Sequence, residues 1–181
     1  MLSASTVPSD LRSTLEAGSK LAPEAPGGLN IEGLSAGAAG ELLIGFRNPV
    51  PEGKAIVVPF ENPAAVVENE AARFGAPILL DLGGRGIRSL ERMESGYLVV
   101  AGPPDDNGAF ALYTWSGSAG DPPVESKSVD FGDLHPEALF AVPGTDRVSI
   151  LSDDGNVQVD GEDCKDQDEA KQSFRGVTLL P

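Results

Sequence analysis

Asn30-Ile31-Glu32-Gly33-Leu34, Gly86-Ile87-Arg88-Ser89-Leu90 and His135-Pro136-Glu137-Ala138-Leu139 open three similar segments of this 181-residue chain. An apolar run of strand character follows each: ELLIGFRN (41–48), GYLVVAGP (96–103) and RVSILSDD (147–154). Glu32 and Arg88 are 56 positions apart, Arg88 and Glu137 49. A unit of about 50 residues built from short strands is the signature of a β-propeller blade.

Working outward, each unit divides into four runs. The first holds EGLSAG (32–37), ELLIGFRN, KAIVVPF (54–60) and PILLDL (77–82); the second holds GIRSLERM (86–93), GYLVVAGP, FALYTWSG (110–117) and ESKSVDF (125–131). The third holds PEALFAV (136–142), RVSILSDD, NVQVDG (156–161) and RGVTLL (175–180), so the fourth runs end at Leu82, Phe131 and Leu180, 49 residues apart each time. Asp105 to Gly108 and Asp153 to Asn156 read as hairpin turns between second and third runs. A helical insertion is expected over 62–74, with Asn62 as its cap, Pro63 in first position and Gly75 past its end.

The sequence therefore predicts an all-β chain: a partial β-propeller of three four-stranded antiparallel blades (about 29–82, 83–131 and 132–181) with one short helical insertion. Residues 1–28 form an N-terminal segment, a helix over 9–21 capped by Ser9 with Leu11 and Leu15 on one face, then the linker APEAPGG (22–28). Propellers close with about four to eight blades, so three leave the first and third sheets with open apolar faces. The expected partner is a missing N-terminal half or a second copy, with Glu32 and Glu137 of different halves meeting at the interface.

Composition narrows the function classes. Asp and Glu total 28 against 13 Lys and Arg, a formal charge of −15, while apolar residues reach 40%. The acidic surface repels phosphate, which speaks against nucleic acid and anionic membranes, and the expectation is a soluble protein. One cysteine, Cys164, excludes an intrachain disulfide and a cysteine-based zinc site. No signal peptide and no stretch of roughly 20 apolar residues is visible, which makes the cytoplasm the default location.

The stretches LNIEGL (29–34), LLIGFRNPV (42–50), PILLDLGGRGIRSLE (77–91), YLVVAGPP (97–104) and DGEDCKDQDEAKQSFRGVTLL (160–180) resemble a bacterial family, domain of unknown function 3616. The resemblance spans nearly all of 10–181. It implies that the chain corresponds to the C-terminal half of a longer member, and it brings no activity to transfer.

Blade geometry nominates the site. Glu32, Arg88 and Glu137 open innermost strands and converge on a central channel, joined at its mouth by Arg47, Asn48 and Asp153. Such a set either binds a ligand, with calcium or magnesium as the candidate cofactor, or ties three blades together through ion pairs. A ligand- or protein-binding module is the first reading; a metal-assisted hydrolase of phosphoesters or lactones is the alternative. Gly84-Arg85-Gly86 lacks a dinucleotide fingerprint and reads as a turn whose Arg85 reaches an anion. The six carboxylates between Asp160 and Glu169 miss the spacing of a calcium loop and read as a solvated surface. His135, the only histidine, sits in a blade-opening turn, where it is a minor candidate for a general base.

Overall fold

A computed structural model describes residues 8–105 and 108–181. The fold is mostly β. The first sheet contains β1 (Asn30–Ala36), β2 (Leu42–Asn48), β3 (Lys54–Phe60) and β4 (Ile78–Asp81) in that order, all antiparallel. The second repeats the meander with β5 (Gly86–Met93), β6 (Gly96–Gly102), β7 (Ala111–Trp115) and β8 (Val124–Glu125).

The third sheet departs from the expected four strands. β9 (Pro136–Ala141) pairs with β10 (Val148–Ser152), but the run at 156–161 does not return to β10. It folds away as a two-stranded hairpin of β11 (Gln158–Val159) and β12 (Glu162–Asp163), and β13 (Gly176–Leu179) takes the place beside β10. The alternation in β13 explains the choice: Val177 and Leu179 face the core, whereas Gly176 and Thr178 are exposed. Gln158-Val159 offers one apolar residue and no such stripe. Leu180, expected to close a fourth strand like Leu82 and Phe131, is 69% exposed, while those two are buried. The run at 125–131 is a loop beyond Glu125, carrying Phe131 into the core between the second and third sheets.

The sheets stack in chain order. Leu43, Ala55, Val57 and Leu80 pack against Leu90, Val99, Tyr113 and Trp115 of the second sheet. That sheet's other face, with Leu98, Val100 and Leu112, meets Leu139, Val148 and Ile150 of the third. Full burial of each such aliphatic side chain stabilises by roughly 1.5–3 kcal/mol. The first sheet's far face is covered in part, with Leu34 and Leu79 left exposed on it. Leu11 and Leu15 of helix α1 (Ser9–Gly18) cover Phe46, Ile56 and Val58 there. Pro8, not Ser9, caps α1 and accepts from Arg12 N–H. The insertion is helical only over α2 (Pro63–Val67), and Asn62 closes its base by donating to Ala71 O and accepting from Arg73 N–H.

Candidate functional site

The first strand of each sheet carries a β-bulge, and the extra residue is Glu32, Arg88 or Glu137. Pairing in β1–β2 skips from Ile31↔Phe46 to Gly33↔Gly45; in β5–β6 it skips from Ile87↔Ala101 to Ser89↔Val100. In β9–β10 it passes from Ala138↔Leu151 to Pro136↔Ser152. A bulge re-aims one side chain out of the pleat. Because β5 lies between β1 and β9, the three re-aimed side chains meet. The sequence alignment of these three positions thus has a structural cause.

Arg88 is the hub. Its Nη2 donates to Glu137 Oε1. Its Nε approaches Glu32 Oε2 at 3.0 Å without the alignment of a hydrogen bond. Glu32 Oε1 accepts from Arg47 Nη1 at 3.1 Å and from Asn30 Nδ2 at 3.0 Å. Arg47 and Arg88 are almost fully buried, with 4% and 6% of their side chains exposed. Arg47 also donates from Nε to Pro103 O and from Nη2 to Asp105 O. Arg88 stacks 5.6 Å above the Phe110 ring, whose edge meets His135 at 6.0 Å between centroids. Glu32 and Glu137 are therefore bridged through Arg88 within one chain, and their meeting requires no second half.

Two glycines permit this packing. A Cβ at Gly86 would fall inside the Arg47 carbonyl. One at Gly102 would stand 2.6 Å from Phe110 Cε1 and 2.8 Å from Arg88 Cγ.

Beside the ion pairs lies a polar cavity of about 380 Å³, lined in part by Arg47, Arg88, Phe110, His135, Glu137 and Asp153. Burial pushes the Glu137 carboxyl up; Asp153 and Glu32 add to the shift, and Arg88 opposes it. Glu137 Oε2 and Arg88 Nη1 make no hydrogen bond among the described residues. Asp153 Oδ1 accepts from Gly155 N–H in its own turn, and Asp153 N–H donates to His135 O.

Other expected site residues lie elsewhere or are committed to structure. Asn48 does not line the cavity: it is buried, and its Nδ2 donates to Pro23 O and Ala25 O, fastening the linker. Arg85 donates to Ala109 O, Leu82 O and Tyr113 Oη, so the turn Gly84-Arg85-Gly86 holds a loop with the guanidinium expected to reach an anion. In the acidic run, Asp160 pairs with Lys171, and Gln167 donates to Glu162. No group of three His, Cys, Asp or Glu side chains suited to a metal occurs among the described residues. Asp106 and Asn107, the tip of the expected turn at 105–108, lie outside them.

Sequence reasoning missed a second cluster at the end of the third sheet. Arg175 grips Asp154 with Nε on Oδ2 and Nη2 on Oδ1, both 2.9 Å, while Nη1 reaches Asp133 Oδ2 at 2.8 Å. Asp154 also accepts from Arg175 N–H and Ser152 Oγ, and Ser152 Oγ accepts from His135 N–H. These donors hold the Asp154 carboxyl at about 2, with the Arg175 bond the largest cause. The signal was present: Val148, Ile150, Ser152 and Asp154 continue one inward-facing alternation, which demands a cation for the carboxylate.

No helix among the described residues is long and apolar enough to cross a membrane. No match was found among curated proteins or among solved structures. A family profile described as "Protein of unknown function (DUF3616)" matches residues 9–149, and the chain belongs to that family.

Proposed function

We propose that this chain is a ligand-binding module of β-propeller type, whose three sheets act as consecutive blades around the cavity beside Arg88. Support for the blade reading comes from the three equivalent bulges and the face-to-face stacking of the sheets in chain order. The observation that carries the binding reading is the commitment of the carboxylates. Glu32 has both oxygens against arginines, and Glu137 has one. Such a set is a preorganised polar wall. It offers Arg88 Nη1 as a donor and Glu137 Oε2 as an acceptor, which suits a small solute bearing both acceptor and donor groups.

One observation favours the hydrolase alternative. Glu137, half-buried near Asp153 and holding its proton more tightly than an ordinary glutamate, is placed as a general acid would be. Its metal-assisted form would need calcium or magnesium on Glu137 and Asp153 with further ligands, and Glu32 is committed to two arginines.

The test is an NMR titration of the whole chain with amino acids, sugars, carboxylates, calcium and magnesium, run beside phosphoesterase and lactonase assays. A polar organic solute should shift the Arg88 Nε–H and Phe110 ring resonances, and Arg88→Met should abolish the shift. Metal-dependent turnover that Glu137→Gln removes would establish the hydrolase reading instead.

A further inference from the structure

Glu24 reaches the polar cavity from outside the three sheets. It belongs to the linker between α1 and β1, yet it lines the same cavity as Arg88 and Glu137. Asn48, at the end of β2, holds it there. Asn48 is 2% exposed, and its Nδ2 donates to Pro23 O at 3.2 Å and to Ala25 O at 2.7 Å. Those are the carbonyls on either side of Glu24. Ala25 N–H on Ala22 O and Gly28 N–H on Ala25 O tighten the turn, and a Cβ at Gly28 would collide with Ala22 O. Leu29 N–H donates to Gly18 O, which ties the linker to the end of α1. A buried amide thus fixes the backbone around an exposed carboxylate that makes no hydrogen bond or ion pair among the described residues.

The charge around the cavity narrows what can enter. Glu24, Asp105, Glu137 and Asp153 line it, and Glu32 pairs with both of its arginines. Against these five carboxylates stand Arg47, Arg88 and Lys165. Lys165 Nζ already donates to Asn156 Oδ1 at 2.6 Å, with Asp163 Oδ2 3.5 Å away. Arg88 is matched by Glu32 and Glu137 together. An incoming anion therefore meets Glu137 and Asp153 and no uncompensated cation. Arg88, with 6% of its side chain exposed, keeps at Nη1 a hydrogen bond for a neutral oxygen.

We infer that the cavity takes a small polyhydroxylated amine, an amino sugar or amino alcohol, with its ammonium toward Glu24 and Asp153 and a hydroxyl accepting from Arg88. This rests on the reading of the cavity as a binding site and names the ligand class. A volume of about 380 Å³ lies at the small end of ligand sites, as a solute of this kind requires. Glu24 is the residue that selects for the cation. Asn48, which does not line the cavity, is a positioning residue that acts through Glu24.

Glucamine, sorbitol and gluconate test this, because they differ only at one end of the same polyol: an ammonium, a hydroxyl or a carboxylate. Each is titrated into the whole chain at pH 7, with the Arg88 Nε–H and Phe110 ring resonances as the readout. Glucamine should bind more tightly than sorbitol by roughly fivefold or more at about 0.05 M salt, with gluconate weakest, and the preference should shrink at about 0.5 M. Glu24→Gln should weaken glucamine by roughly two- to fivefold and leave sorbitol unchanged. Asn48→Ala should do the same, and the double variant should lose no more than either alone. If Asn48→Ala fails to fold by circular dichroism, the exposed Glu24→Gln carries the test. Sorbitol or gluconate binding as tightly as glucamine overturns the inference while leaving the cavity a binding site. So does a Glu24→Gln that weakens glucamine and sorbitol alike, or neither. No shift with any of the three overturns it as well, and the broader titration proposed for the cavity then decides whether it binds any solute.

Discussion

The cavity cluster and the clamp at the end of the third sheet use the same chemistry and reach opposite electrostatic results. In both, a guanidinium meets two carboxylates. Asp154 receives the Arg175 fork, a backbone N–H and the Ser152 hydroxyl, and is held at about 2. Glu137 receives one bond from Arg88, faces Asp153, and is pushed up by burial. The number of donors on the carboxylate decides the sign, not the presence of an arginine. A fully satisfied pair is a structural fastener. A half-satisfied one, with no hydrogen bond on Glu137 Oε2 or Arg88 Nη1 and both residues lining a cavity, has capacity left for a ligand.

Arg88→Met should have the largest effect. It strands Glu32 against Arg47 alone and leaves Glu137 partly buried without its cation, a loss of about 3–5 kcal/mol by chemical unfolding. If the loss stays below about 1 kcal/mol, Arg88 is not the hub that joins the sheets.

Asp154→Asn should come next, at about 1–2 kcal/mol at pH 7, discounted for the part-exposed Arg175. Here the sign is definite. The folded value, about 2, lies below the ordinary 3.8, so the contribution is complete above about pH 4 and fades as pH falls through 2. Acid unfolding curves of the parent and Asp154→Asn should converge below pH 2; curves that stay parallel would show that the clamp does not titrate.

Glu137→Gln should change stability least, within about 1 kcal/mol, because the amide oxygen still accepts from Arg88 while the desolvated charge disappears. Its pH dependence runs opposite to that of Asp154. A raised carboxyl is favourable when protonated, so this penalty is absent below the ordinary 4.5 and grows as pH rises through the folded value. Relative to the parent, Glu137→Gln should gain stability between acidic and neutral pH. A relative loss over that range would mean that the Arg88 pair outweighs burial.

The same contrast explains what the sequence could disclose. Glu32, Arg88 and Glu137 recur at equivalent bulges, so alignment alone found them. Asp154, Arg175 and Asp133 occur once, in the unit that breaks the pattern, and no repeat could reveal them. The strand-like look of Gln158-Val159 and the even spacing of Leu82, Phe131 and Leu180 suggested a fourth strand. The apolar stripe of Val177 and Leu179, which wins the place beside β10, was visible but was assigned one strand too far out. Asn48 was assigned to the channel from its place at a strand end, where the carbonyls of a distant linker claim it.

The most direct test of the cavity cluster as one unit is a double-mutant cycle of Glu32→Gln and Arg88→Met, read as unfolding free energies at pH 7. Coupled residues in one ion-pair network should show an interaction of about 1–3 kcal/mol, the double variant losing less than the two single losses together. Losses that add within about 0.5 kcal/mol would contradict the account, because Glu32 and Arg88 would then be neighbours in space without sharing a site.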